Sequence, residues 1–96
     1  MTLSEVSNIS KVKANFAKYK GGDAAVLKPS TRAGKKFMVT HDGKTTHFGD
    51  INLADFTKTG DEVKRKSYLA RSAGIKGDWK RDKYSANNLA RSLLWS

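Results

Sequence analysis

The sequence predicts a small α+β domain, in which a two- or three-stranded antiparallel sheet around residues 24 to 48 carries helices on one face. Three observations point there. Lys35 to Thr40 alternates, with Phe37 and Val39 on one face and Met38 and Thr40 on the other, and Asp42-Gly43 then supplies the dipeptide favoured in a two-residue hairpin. Apolar residues recur at helical spacing on both sides of that hairpin. The chain is 96 residues long, and no repeat, low-complexity tract or long linker interrupts it, so it reads as one domain, 1–96, with a modest core.

The elements follow in order. Thr2 and Glu5 have the spacing of a capping box, and Leu3, Val6, Ile9, Val12, Phe16 and Tyr19 form one apolar stripe ending at Gly21-Gly22. Residues 1–22 are therefore read as an N-terminal helical extension, and 24–96 as a basic hairpin plus helices. Lys11, Lys13, Lys18 and Lys20 make the other side of the first helix a solvated face. Ala24 to Leu27 is short and apolar, and Pro29 removes a backbone donor, which predicts an edge strand or extended arm. Thr45 to Phe48 is the strand returning from the hairpin. Residues 50–57 keep no period and are expected to form a loop that lays Ile51, Leu53 and Phe56 onto the sheet.

A second helix is predicted from near Asp61, with acids in its first turn, to Ala73, with Gly74 closing it. Residues 75–83 read as a connecting loop in which Trp79 needs cover. In the last segment Ser85 can cap a helix, and Ala86, Leu89, Ala90, Leu93 and Leu94 fall at i, i+3, i+4, i+7 and i+8. With Trp95 beside them, these residues predict either a helix under the sheet or one that docks on another molecule.

Charge narrows the function classes. Lys and Arg number 19 against 9 Asp and Glu, for a net charge of +10 and a pI near 10.0, so the expected partner is polyanionic: nucleic acid, an acidic protein surface or anionic lipid. There is no cysteine, which removes disulfides and thiolate metal sites. No apolar run reaches the roughly 20 residues of a membrane span, and the first residues do not read as a secretory signal, so an intracellular, soluble protein is expected.

The cations fall in three clusters. Lys28, Arg32, Lys35 and Lys36 surround Ser30 and Thr31, whose hydroxyls can donate to phosphate. Lys64, Arg65 and Lys66 with Arg71 lie on the predicted middle helix. Lys80 and Arg81, with Lys83, sit beside Trp79, and an aromatic among cations is what a base-stacking site uses. Such charge confers affinity without sequence specificity.

Signals for chemistry are weak. His41 and His47 flank the hairpin turn and are placed to approach each other across it, but two imidazoles fall short of the three or four ligands of a zinc site, so no metal is predicted. Arg32 to Lys36 lacks the first glycine and the Ser or Thr of a nucleotide-binding loop, and no cofactor is implied. No serine sits in a nucleophile elbow and no carboxylates pair, so no catalytic residue is assigned and the chain is read as non-enzymatic.

Lys28-Pro29-Ser30-Thr31-Arg32-Ala33-Gly34-Lys35-Lys36-Phe37-Met38, then His47-Phe48-Gly49, Asp55-Phe56-Thr57-Lys58, Tyr68-Leu69-Ala70-Arg71, Trp79 and Leu93-Leu94-Trp95, stand in an order and spacing that resemble a family of small basic proteins of unknown function encoded by large nucleocytoplasmic DNA viruses, including relatives of the algal viruses. The resemblance covers roughly residues 26 to 95. It brings no activity. It implies a virion protein, a minor capsid or internal component that binds acidic surfaces of capsid or other virion proteins, with Trp79, Leu93, Leu94 and Trp95 as partner anchors. The alternative it implies is a nonspecific DNA-binding protein on the packaged genome. Either would be found in the virion, and in the host cytoplasm or nucleus during assembly. Oligomeric state and the identity of the polyanion are left open by the sequence.

Overall fold

The hairpin forms where its turn residues demand it. In the computed structural model, which describes residues 2–96, Asp42 and Gly43 have φ of +51° and +75°, the pair of positive values that lets a two-residue turn match the twist of its strands. Strand β2 (Lys35–His41) and strand β3 (Lys44–Asp50) flank it, paired so that Phe37 faces Phe48 and Val39 faces Thr46. Strand β1 (Ala25–Pro29) adds on the other side of β2, antiparallel, with Leu27 opposite Val39. Pro29, which cannot donate to a ladder, thus sits at the end of an edge strand in a sheet of order β1-β2-β3. The domain is α+β as its patterning predicts.

The N-terminal stripe is interrupted. Helix α1 (Leu3–Val6) stops at Ser7, whose backbone is extended, and helix α2 (Ile9–Lys20) begins afresh with the Asn8 side chain accepting from the Lys11 amide. The break has a use. Extended backbone at Ser7 and Asn8 frees groups that a continuous helix would consume, and these bind the short helix α3 (Phe56–Thr59): Asp55 N–H donates to the Val6 carbonyl (3.0 Å) and Asn8 N–H to Thr57 Oγ1 (3.0 Å). Residues 51–55 form the predicted loop and lead into α3, and Leu53 is exposed rather than laid on the sheet.

Helix α4 (Glu62–Ala73) keeps its predicted ends, with the Asp61 side chain accepting from Lys64 N–H and Gly74 following. A 3₁₀ turn spans Trp79–Arg81. Helix α5 (Ala86–Leu89), capped by Ser85, then widens into one π-helical stretch, Ala90–Leu94, where Trp95 N–H donates to the Ala90 carbonyl (3.2 Å). The predicted final helix is thus a single turn of α-helix followed by this wider winding. Ala90, Leu93 and Leu94 all turn inward there.

The core joins one face of the sheet to the two ends of the chain. Phe37, Val39 and Phe48 pack with Val12 and Phe16 of α2, Tyr84, and Leu89, Leu93 and Leu94. The described part of residues 1–22 supplies core side chains, Val12 and Phe16, while residue 1 lies outside the described residues.

Candidate polyanion-binding surface

Loop 30–34 between β1 and β2 is held from within. Ser30 N–H donates to the Lys36 carbonyl (3.0 Å), Ser30 Oγ accepts from Arg32 N–H (3.0 Å), and Lys35 N–H donates to the Arg32 carbonyl (3.2 Å). At its far side Ile51 N–H reaches the Gly34 carbonyl (3.0 Å). Lys28, Arg32 and Lys35 project from this frame into solvent, and none forms an ion pair with a described residue. The loop presents cations at the end of a stiff strand pair, so little backbone ordering remains to be lost on contact with an anion.

Lys36 is not part of that surface. It is 3% exposed, and its ammonium donates to Asp55 Oδ2 (2.9 Å) and, at 3.4 Å, to the Val6 carbonyl. Asp55 is fully buried and also accepts from Ser7 Oγ, Thr57 Oγ1 and Thr57 N–H (3.0 Å). A buried charge pair is tolerated when further hydrogen bonds occupy its remaining lone pairs, as here. The pair ties the sheet to α3 and to the α1–α2 break. Alternation along β2 could not reveal this, because the partner lies 19 residues away in a segment without periodicity.

The second cluster is also divided. Lys64, Lys66 and Arg71 are exposed on α4 and free of ion pairs among the described residues. Arg65 instead is half-buried: its Nη1 meets Glu62 Oε1 (2.8 Å), and its Nε donates to the Trp95 carbonyl (3.0 Å). In the third cluster Lys80 and Arg81 are exposed. Trp79 is half-buried: its Nε1–H donates to the Ile75 carbonyl (2.7 Å), while Lys80 and Arg91 lie over its ring at 5.4 and 5.6 Å from the centroid.

Most carboxylates are committed to the fold. Asp55 and Asp61 cap helices; Asp23 binds Lys83 (2.8 Å) and the Tyr84 hydroxyl (2.7 Å). Lys83, followed by Tyr84, holds the Asp23 carboxyl below its ordinary value. Burial, followed by Asp23, pushes the Tyr84 hydroxyl up to about 12. The acids thus brace the structure while most of the cations face water.

Two predicted anchors are core. Leu93 and Leu94 are buried beneath the sheet and cannot insert into a partner. Trp95 stacks on Tyr68 of α4, with centroids 4.5 Å apart and planes 14° off parallel, and burial raises the Tyr68 pKa. The histidines do not meet. By register His41 shares the Phe37 and Val39 face of β2, and its ring lies 4.4 Å from that of Tyr84. His47 pairs with Met38 on the other face, its Nδ1 2.7 Å from Ser30 Oγ. Among the described residues no three His, Cys, Asp or Glu side chains gather as metal ligands.

Beside the cationic loop the Lys35–Asp50 end of the sheet, α4 and the C-terminal turn enclose a groove of about 370 Å³. Its lining is largely apolar, with Lys35 and Arg71 among it. No helix of the described residues is long and apolar enough to cross a membrane.

Fold and surface together define a small basic α+β protein with a cation-bearing sheet edge. By sequence the chain belongs to a family of unknown function, DUF5754, whose model matches residues 25–72, from β1 through most of α4. No curated protein and no solved structure matches.

Proposed function

We propose that this chain is a non-enzymatic structural protein that holds acidic protein surfaces through its unneutralised cations, and that it does so as a minor capsid or internal component in the particle of a large DNA virus. One observation carries the binding part: Lys28, Arg32 and Lys35 stand exposed on a hydrogen-bonded frame with no ion-pair partner among the described residues, while Asp23, Asp55 and Asp61 are spent on internal contacts. Fixed cations without internal partners attract whatever anionic surface approaches. The viral setting is supported by the resemblance of residues 26 to 95 to small basic proteins of such viruses. The test is to raise antibody against the chain, probe purified particles of the encoding virus, and wash them across a salt series. The chain is retained at low salt and released as salt rises; particles without the chain overturn the proposal.

A second reading, nonspecific binding to the packaged genome, is favoured by the sheet face opposite the core. Lys28, Met38, Thr40, Thr45 and His47 share that face by register with no carboxylate among them in the strands; Lys36, on the same face, is buried against Asp55. Hydroxyls and a cation on a flat sheet suit phosphate oxygens. Duplex DNA retained against a large excess of acidic polypeptide would favour this reading over the first.

A further inference from the structure

We infer that the groove beside Lys35 docks an acidic segment of a partner protein, one that presents a bulky apolar side chain flanked by carboxylates. The inference rests on the reading that the partner is an acidic protein surface, and it supplies the site and the chemistry of the contact.

Leu53 and Ile75 are 59% and 52% exposed, and both line the groove with Leu94, Tyr68 and Trp95. Large apolar side chains left open around a concavity are stabilised when another apolar group displaces their water. The walls are rigid. Trp95 is fixed by its stack on Tyr68 and by Arg65 on its carbonyl, and Gly49 brings the strand so close that a Cβ there would lie 2.9 Å from Leu94 Cδ1. A groove of about 370 Å³ falls within the range of preformed ligand sites, ~300–1,000 Å³.

Charge selects the occupant. Among the described residues, Lys35 and Arg71 line the groove without ion pairs, whereas its one carboxylate, Asp50, accepts the Asn52 N–H at 2.9 Å. Carboxylates on either side of an apolar side chain match that arrangement. A nucleobase fits less well, because its polar edges would meet the exposed aliphatic side chains of Leu53 and Ile75. Trp95 therefore serves as a wall that receives a partner's side chain, the reverse of an anchor inserted into a partner.

The test is nuclear magnetic resonance titration of the full chain with a capped peptide, Asp-Glu-Phe-Leu-Asp-Glu, following the Leu53 and Ile75 amides and the Trp95 indole N–H. These signals shift and saturate with the parent peptide. At least tenfold weaker binding is expected for Asp-Glu-Ser-Ser-Asp-Glu, for Asn-Gln-Phe-Leu-Asn-Gln, and for the parent with Leu53→Asp, a change at an exposed position. Equal affinity for the polar peptide, undiminished binding by Leu53→Asp, or shifts confined to residues outside the groove would overturn the site. So would displacement of the peptide by a twelve-residue oligothymidylate that shifts the same three signals, which would assign the groove to single strands. Binding of polyglutamate, measured on the same sample and weakened by Arg32→Ala, separates the two levels. If polyglutamate binds and the peptide leaves the groove unshifted, the site falls and the broader function stands; if neither binds, both fall.

Discussion

Lys36 and Asp55 show how one position in a basic run takes a different role from its neighbours. Lys35 and Lys36 are adjacent, yet Lys36 is 3% exposed with its ammonium on Asp55, and only Lys35 reaches water. Replacing Lys36 by Ala leaves Asp55 charged and buried without its cation, so unfolding in urea should show a loss of about 3–5 kcal/mol. The folded variant should bind polyanions with an unchanged salt slope. Wild-type stability together with weakened binding would put Lys36 back on the binding surface. Tyr84 gives a pH dependence. Its hydroxyl titrates at about 12 in the fold and near 10 when unfolded. The neutral form is therefore the one the fold favours: this stabilisation is complete below pH ~10 and is lost as pH rises toward about 12. Thermal unfolding of Tyr84→Phe should decline less steeply over that interval than wild type. Parallel declines would place the alkaline sensitivity elsewhere, Tyr19 and Tyr68 being the other tyrosines that burial raises.

Among the elements, the hairpin and α4 were legible because their signals are local. Asp42-Gly43 fixes a turn within two residues, and Asp61 with Gly74 marks both ends of a helix. The break at Ser7 and Asn8 was not legible, because the apolar stripe runs on past it and its cause is a contact with Asp55 and Thr57 some 48 residues away. The C-terminal winding was hidden for a related reason. Leu89, Leu93 and Leu94 suit an α-helical face as well as a π-helical one, and the Asn15 Nδ2 donor on the Leu93 carbonyl (3.0 Å) belongs to a distant helix. Gly49 tests this packing. With φ at +83° and Lys36 Cβ 3.0 Å from the position of an added Cβ, Gly49→Ala should destabilise the domain by about 1–3 kcal/mol, read as a lower denaturation midpoint. Leu93→Ala, at a fully buried position, should cost about 2–5 kcal/mol. A mild effect there would mean that the last turn is not part of the core.

For the whole molecule, composition announced the excess of cations but not which of them are free. That depends on where the acids go, and a capping aspartate looks the same in sequence as a surface one. Among the described residues the structure pairs Lys36, Lys44, Arg65 and Lys83 with carboxylates and leaves Lys28, Arg32 and Lys35 together without any. The most direct test of that account is the affinity of the chain for polyglutamate and for a random DNA duplex across a salt series, with Lys28, Arg32 and Lys35 replaced together by Ala. The account predicts binding at low salt that weakens steeply as salt rises, and a triple variant whose slope is shallower by about one for each cation that had contacted the polyanion. Polyglutamate held as firmly as DNA supports the protein-surface role. Binding that ignores both salt and the three substitutions would contradict it.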